Sequence, residues 1–173
     1  MRLTSAGAAR TVTGSCHHLD LGDFQLVVDC GLFQGGAELD ALNRAPFPFE
    51  PRGLGSVLVT HGHLDHVGRL PLLVKAGYQG SFLATKATVD VAAIILRDAA
   101  KIQEEDFERD LRKARRAGRE AELQGPLYTV ADAEAAIARF QSVAMHEAVR
   151  VADGVTATFR PAGHILGSAY IEL

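Results

Sequence analysis

Cysteine is scarce in this chain. Cys16 and Cys30 are the only two, and they form no Cys-x-x-Cys arrangement. That argues against a bridge and reads as two reduced core thiols, which fits the cytoplasm. Long apolar runs are missing as well: none approaches the roughly 18 residues of a membrane span, so none is expected. The opening Met1-Arg2-Leu3-Thr4-Ser5 lacks the apolar stretch of a signal peptide and reads as a first strand. No internal repeat, low-complexity tract or interdomain linker interrupts the sequence. A net charge of −3 gives no overall pull toward nucleic acid, so any such binding must come from a local patch. What remains is 173 residues with 47% apolar content, enough for one domain, residues 1–173, with a real core.

The first 60 residues read as strands at 2–5, 15–21 and 24–29, with Gly22-Asp23 predicting a hairpin between the last two. Residues 35–55, rich in glycine and proline, read as loop. Residues 57–60 form an apolar run expected of a central strand covered on both faces. A short helix is predicted from His66 to about Ala76, ended by Gly77, and a strand over 81–85.

From Lys86 to about Arg116, Val91, Ile95, Ala99 and Ile102 recur at helical steps, with Phe107, Leu111 and Ala114 continuing the stripe. Its acidic residues come first and Arg112, Lys113, Arg115, Arg116 and Arg119 last. That order suits the helix macrodipole as a solvated face, or else marks an RNA contact. Thr129-Val130-Ala131-Asp132 resembles a capping box that opens a helix to about Arg139. Strand patterning returns at 140–143, 148–151, 155–160 and 168–173. Strands, helices and strands again predict an α/β layered domain.

The chemistry concentrates in His61-Gly62-His63-Leu64-Asp65-His66, directly after the apolar run. In an extended stretch His61 and His63 point the same way and can share one metal, while Asp65 and His66 follow where the chain turns helical, aimed at a second. Imidazole and carboxylate without thiolate suit Zn2+, and admit Mn2+ or Fe. A second turn, Pro161-Ala162-Gly163-His164-Ile165-Leu166-Gly167-Ser168, lies behind the 155–160 strand. His164 would complete a three-histidine position with room for water. His146 competes for that place but lies in ordinary strand–loop sequence without glycines. His17 and His18 alternate faces on an early strand, one packing inside and the other exposed. Asp29, ending an apolar strand, either orients a metal-bound histidine through its second ring nitrogen or caps the Gly31 turn.

Residues 60–66 resemble motif 2 of the metallo-β-lactamase superfamily, Asp29-Cys30-Gly31 its motif 1 and Gly163-His164 its motif 3. Further segments resemble the β-CASP branch of RNA nucleases: Gly7-Ala8-Ala9-Arg10 with Val12-Thr13-Gly14-Ser15, then residues 29–35, His66-Val67-Gly68-Arg69-Leu70-Pro71, and residues 162–169. The resemblance implies the N-terminal half of an αβ/βα sandwich, a mixed sheet with helices on its outer face. It implies a dinuclear zinc site in the full-length protein and about one Zn2+ in this fragment. His61, His63 and His164 would hold the first metal, and Asp65 and His66 part of the second. Asp65 would also orient the nucleophile, with Asp29 behind the ligands.

Single-stranded RNA is the implied substrate, and a homodimer is admitted. Thr11 stands where many relatives carry an acidic residue. The second half-domain, a bridging Asp, a last His and the β-CASP domain of such relatives are not in the 173 residues, so the fragment alone is expected to be weak or inactive. Two readings compete with the nuclease: a small-molecule hydrolase of the glyoxalase II or lactonase type, and a non-catalytic metal-binding remnant. Ile165-Leu166 after His164 and the long segment 86–125 favour the nuclease.

Overall fold

The computed structural model describes residues 1–119 and 123–173. Six strands form one mixed sheet: β1 (Arg2–Gly7), β2 (Cys16–Asp20), β3 (Gln25–Val28), β4 (Ser56–Leu58), β5 (Phe82–Thr85) and β6 (Phe140–Val143), in that spatial order. The first three pair antiparallel and the last three add in parallel. The β2–β3 hairpin turns at Gly22, whose φ of 94° a glycine adopts freely, and Leu21 N–H closes it on the Phe24 carbonyl at 2.9 Å. A second sheet is an antiparallel meander of β7 (Ala148–Ala152), β8 (Val155–Pro161) and β9 (Ala169–Glu172).

Period-two alternation sorts the side chains into two cores. On one face of the large sheet, Cys16, Val27, Val57, Val59, Phe82 and Ala84 pack under the helices. On the other, Leu19, Leu26, Leu58 and Leu83 meet Ala157, Phe159 and Ala169 of the second sheet. The expected mixed sheet with outer helices is therefore present, and the second sheet packs on its other face. His18 is buried on the helix side, stacked 4.9 Å from Phe49 and bonded to Gln25, whereas His17 is half-buried on the other face.

Four elements differ from the sequence expectations. Residues 35–55 are not all loop: they contain a helix, α1 (Ala37–Leu42), and a single 3-10 turn at Pro51–Gly53. The α1 helix buries no residue, so it leaves no apolar stripe to read. The helix expected from His66 is two, α2 (Leu64–Val67) and α3 (Leu70–Lys75), separated by Gly68 and Arg69. Pro71 cannot donate a backbone N–H to continue α2, but fits the first turn of a new helix.

The central strand pairs only through Leu58, because the Thr60 N–H leaves the ladder for the Asp29 carboxylate at 2.8 Å. The long helix α4 (Lys86–Ala117) runs as expected to Gly118 in the left-handed region. Its fully buried line is Thr88, Ala92, Leu96 and Ala100, one residue round from the larger Val91 and Ile95, and Ile102 is half exposed. Thr88, Ala92 and Ala100 on that line are small, Leu96 fills the space between them, and Val91 and Ile95 lie to one side. Its charges pair along the helix, Arg109 with Asp106 at 2.7 Å, Lys113 with Asp110 at 3.1 Å and Arg112 with Glu108 at 3.8 Å, in keeping with a solvated face.

Helix α5 (Val130–Ile137) opens on the expected capping box: Thr129 accepts from the Asp132 N–H, and Asp132 accepts from the Thr129 N–H. Among the described residues no helix is long and apolar enough to cross a membrane. Burial works to raise the Asp132 carboxyl pKa, but hydrogen bonds from Thr129 and from Lys75 at 2.9 Å outweigh it and hold the group below its ordinary 3.8. A depressed carboxyl stabilises the fold above that ordinary value, and the contribution drains away as pH falls through the folded-state pKa. Asp132→Ala should cost about 1 kcal/mol, the usual loss for a helix cap. Urea unfolding at pH 7 and pH 3 checks this, and an equal loss at both would rule out the ionised cap.

Candidate metal centre

Most of the site arrives at the C-terminal ends of the parallel strands of the large sheet. Asp29 follows β3; Thr60, His61 and His63 follow β4 and lead into α2; Thr85 ends β5. Asp29 is 2% exposed, with a φ of 60° that Asp tolerates better than most residues. Its carboxylate accepts from the Thr60 N–H at 2.8 Å, the Thr60 hydroxyl at 2.8 Å and the Ser15 hydroxyl at 3.3 Å, and faces His66 Nδ1 at 2.7 Å. It does not cap the Gly31 turn, because the Gly31 N–H goes to the Ser15 carbonyl.

This network assigns protons. The Thr60 hydroxyl has one proton, which goes to Asp29, so toward His61 Nδ1, 2.9 Å away, it can only accept. His61 is therefore protonated on Nδ1 and presents Nε2 as a lone pair. His66 likewise gives its Nδ1 proton to Asp29 and leaves Nε2 on the outer side, 3.7 Å from Asp65 Oδ2. Burial first, then the neighbouring imidazoles His66, His63 and His164, push His61 down to about 4, against the opposing pull of Asp29. Burial also works to lower His66, but its hydrogen bond to Asp29 and the charges of Asp29 and Asp65 outweigh that and raise it.

The second sheet delivers His164 on the turn between β8 and β9. That turn is pinned by hydroxyls: the Gly167 carbonyl accepts from Thr85 at 2.7 Å and Thr88 at 2.9 Å, and the Ser168 hydroxyl accepts from the His164 N–H at 3.1 Å. Gly167 has a φ of 79°, and a Cβ there would lie 2.6 Å from the Thr88 nitrogen. The Ala169 N–H ties the turn to the Thr60 carbonyl at 2.9 Å.

Ligand-competent atoms of His61, His63 and His164 all lie within 4.8 Å of one another. His61 Nε2 and His164 Nε2 stand 3.2 and 3.1 Å from the same His63 Nδ1. A protonated Nδ1 can donate squarely to only one of them, and a bare Nδ1 would meet the His61 lone pair, so neutral imidazoles alone leave one of the two contacts unsatisfied. A shared cation resolves the conflict, and three imidazoles with an open position suit Zn2+. His146 does not join them: it is exposed, with its Nδ1 facing Arg160 at 3.2 Å. Sequence reasoning did not single out the hydroxyls of Ser15, Thr60, Thr85, Thr88 and Ser168. Only the position of Thr60 ahead of His61 hinted at its part.

A model of the metallo-beta-lactamase superfamily matches residues 10–121, well over half of the sequence. The chain belongs to this superfamily. Two solved structures share the superfamily's fold: the metallo-beta-lactamase fold protein YhfI from Bacillus subtilis and the metallo-beta-lactamase SMB-1, both with a TM-score of 0.53. At 17% and 20% identity they cover 98% and 95% of this chain and 56% and 52% of their own.

Among curated relatives, Ribonuclease TTHA0252 of Thermus thermophilus is 40% identical over 99% of the chain. Transcription termination factor FttA of Methanosarcina mazei is 29% identical, and Cleavage and polyadenylation specificity factor 73 of Drosophila melanogaster 30% identical, each over 98% of the chain. The chain spans 34%, 24% and 22% of those relatives' lengths.

The candidate site depends on one close backbone approach. A Cβ on Gly31 would fall 1.6 Å from the Asp65 carbonyl oxygen and 2.5 Å from the His66 nitrogen. Gly31→Ala should therefore displace α2 and lower metal affinity at least about tenfold, the scale of disturbing groups that orient ligands. Gly53→Ala, where a Cβ meets nothing within 4 Å, should leave it unchanged. Zinc titration of both variants is the check, and equal affinities would contradict the role given to the Gly31 contact.

Proposed function

We propose that this chain is the N-terminal part of the metallo-β-lactamase domain of a β-CASP ribonuclease that hydrolyses phosphodiester bonds in single-stranded RNA. One observation carries the reading: three imidazoles converge beside Asp65 and His66 in a chain 40% identical to a protein named a ribonuclease. The names of two further relatives, a transcription termination factor and a cleavage and polyadenylation specificity factor, support work on RNA. The two thiols are free and buried, which agrees with a cytoplasmic setting.

In this proposal His61, His63 and His164 hold one Zn2+, and Asp65 and His66 contribute to a second. When bound, such a metal pair supplies Lewis acidity that makes water a nucleophile at neutral pH. The chain's own residues prepare for it. Asp29 and Thr60 keep His61 in the tautomer whose Nε2 lone pair faces the cluster, so no proton need be displaced on loading. Asp29 likewise orients His66. Asp65, with a quarter of its side chain exposed, can accept a hydrogen bond from the attacking water and aim it.

Two measurements test this. The isolated chain should bind about one Zn2+ tightly, because only the three-histidine position is complete within it. Elemental analysis should show that metal lost in His61→Ala and largely kept in Asp65→Ala; two tightly held zinc ions, or manganese retained in preference, would correct the assignment.

Activity needs the remaining portion, so the second assay uses a hybrid carrying the rest of the Thermus relative after Leu173. It should cleave single-stranded RNA with added metal, and His63→Ala should remove the cleavage. The chain alone should be slower by a factor on the order of 10²–10⁴, the worth of general acid help. Turnover of lactones or thioesters by the hybrid, without RNA cleavage, would replace the nuclease by a small-molecule hydrolase.

A further inference from the structure

Arg69 lies between α2 and α3, on a segment the metal centre does not use. It is 4% exposed, and its backbone N–H donates to the Cys30 carbonyl at 2.8 Å. Among the described residues, the guanidinium makes one hydrogen bond, from Nη2 to the Ala45 carbonyl at 3.2 Å. Its Nε is buried without a partner, and no carboxylate of the described residues pairs with it. The rings of Phe47 and Phe33 lie 4.5 and 5.6 Å from the guanidinium carbon. A guanidinium does not shed its proton, so a full charge sits in the interior. Two aromatic faces offset part of the cost of burying it, but they are no counter-ion.

The same side chain lines a cavity of about 420 Å3 beside Ala6, Arg10, Thr11, Phe33 and Leu42. That volume falls within the roughly 300–1,000 Å3 of small-molecule sites. Arg10 and Arg69 are its charged lining residues, and no acidic residue faces them there. A neighbouring cavity that also touches Arg69 contains Glu50, which would repel an anion.

We propose that the cavity between the Gly7–Thr11 turn and α1 binds a small organic carboxylate, its charge against Arg69 and its apolar body against Ala6, Phe33 and Leu42. The guanidinium lines the cavity with Phe33 and Phe47 beside it and, among the described residues, makes only the Ala45 hydrogen bond. A carboxylate accepts charge-assisted hydrogen bonds from a guanidinium's free donors and supplies the missing counter-charge. The apolar walls suit a hydrocarbon body and penalise a doubly charged, strongly hydrated phosphate. The site is separate from the proposed metal centre and stands whether or not the chain acts on RNA.

Calorimetric and thermal-unfolding titrations with hexanoate test the site, with hexanamide as the uncharged analogue and inorganic phosphate as the alternative anion. Hexanoate should bind saturably and raise the melting temperature, hexanamide should do neither, and phosphate should bind more weakly. Thr11→Glu, which leaves Arg69 in place, brings a carboxylate into the cavity. It should abolish hexanoate binding while raising the melting temperature of the ligand-free chain. Arg69→Met, with folding verified by circular dichroism, should weaken binding on the order of thirtyfold, the low end for losing one partner of a buried charge pair. His164→Ala should leave hexanoate binding intact, which separates this cavity from the histidine cluster. No saturable hexanoate binding, equal binding of hexanamide, tighter binding of phosphate, or loss of binding in His164→Ala would each overturn the proposal.

Discussion

The buried carboxylate of Asp29 is the constraint on which the site is built. An ionised carboxylate taken out of water costs several kcal/mol unless its oxygens are satisfied. Here four donors reach it: two from Thr60, one from Ser15 and one from His66. Hydrogen bonds to a charged group are worth roughly 1.5–3 kcal/mol each, so together they offset the burial. Satisfying one residue in this way fixes where β4 stops, which nitrogen of His61 and His66 carries a proton, and how the loop after β3 meets α2.

The opposite directions of the two histidine shifts follow from the same group seen at two ranges. His66 touches the carboxylate and has Asp65 beside it, so attraction exceeds desolvation and the ring favours its proton. His61 reaches Asp29 only through the Thr60 hydroxyl, so desolvation and three neighbouring imidazoles prevail and the ring stays neutral. Rings of similar sequence context are thus shifted in opposite directions because a hydroxyl intervenes in one case and not in the other.

His164 depends on a different layer. The second sheet docks through Ala157, Phe159 and Ala169 against leucines of the large sheet, and apolar contact of this kind has little direction of its own. Direction comes from the hydroxyls of Thr85 and Thr88 on the Gly167 carbonyl and from the Ala169–Thr60 hydrogen bond. Apolar burial holds the two sheets together, and a few polar bonds set where the histidine turn lies between them. Arg69 shows the converse case, a charge placed in the interior by the α2–α3 break with aromatic rings beside it and no counter-charge among the described residues.

Much of this was legible in the residues themselves. Period-two alternation marked the strands, the Gly22 turn the hairpin, the Thr129–Asp132 box the start of α5, and the crowding of His61, His63, Asp65 and His66 behind an apolar run marked the site. These are local signals: each depends on residues a few positions apart, where chain geometry alone dictates which side chains share a face. Other features carried no such mark. The helix α1 buries nothing, and the buried face of α4 lies one residue round from the stripe of Val91 and Ile95 that the spacing marked.

Whether Asp29 would cap a turn or orient a histidine, and whether His146 or His164 would join the cluster, also lay beyond the local pattern. Those choices depend on residues tens to a hundred positions apart, such as Asp29 with His66 and His63 with His164. The sequence determined the residue types and local faces available for the chemistry. The tertiary structure decided which met and which nitrogen each presented, because hydrogen-bond satisfaction of buried groups is settled only when distant strand ends are brought together.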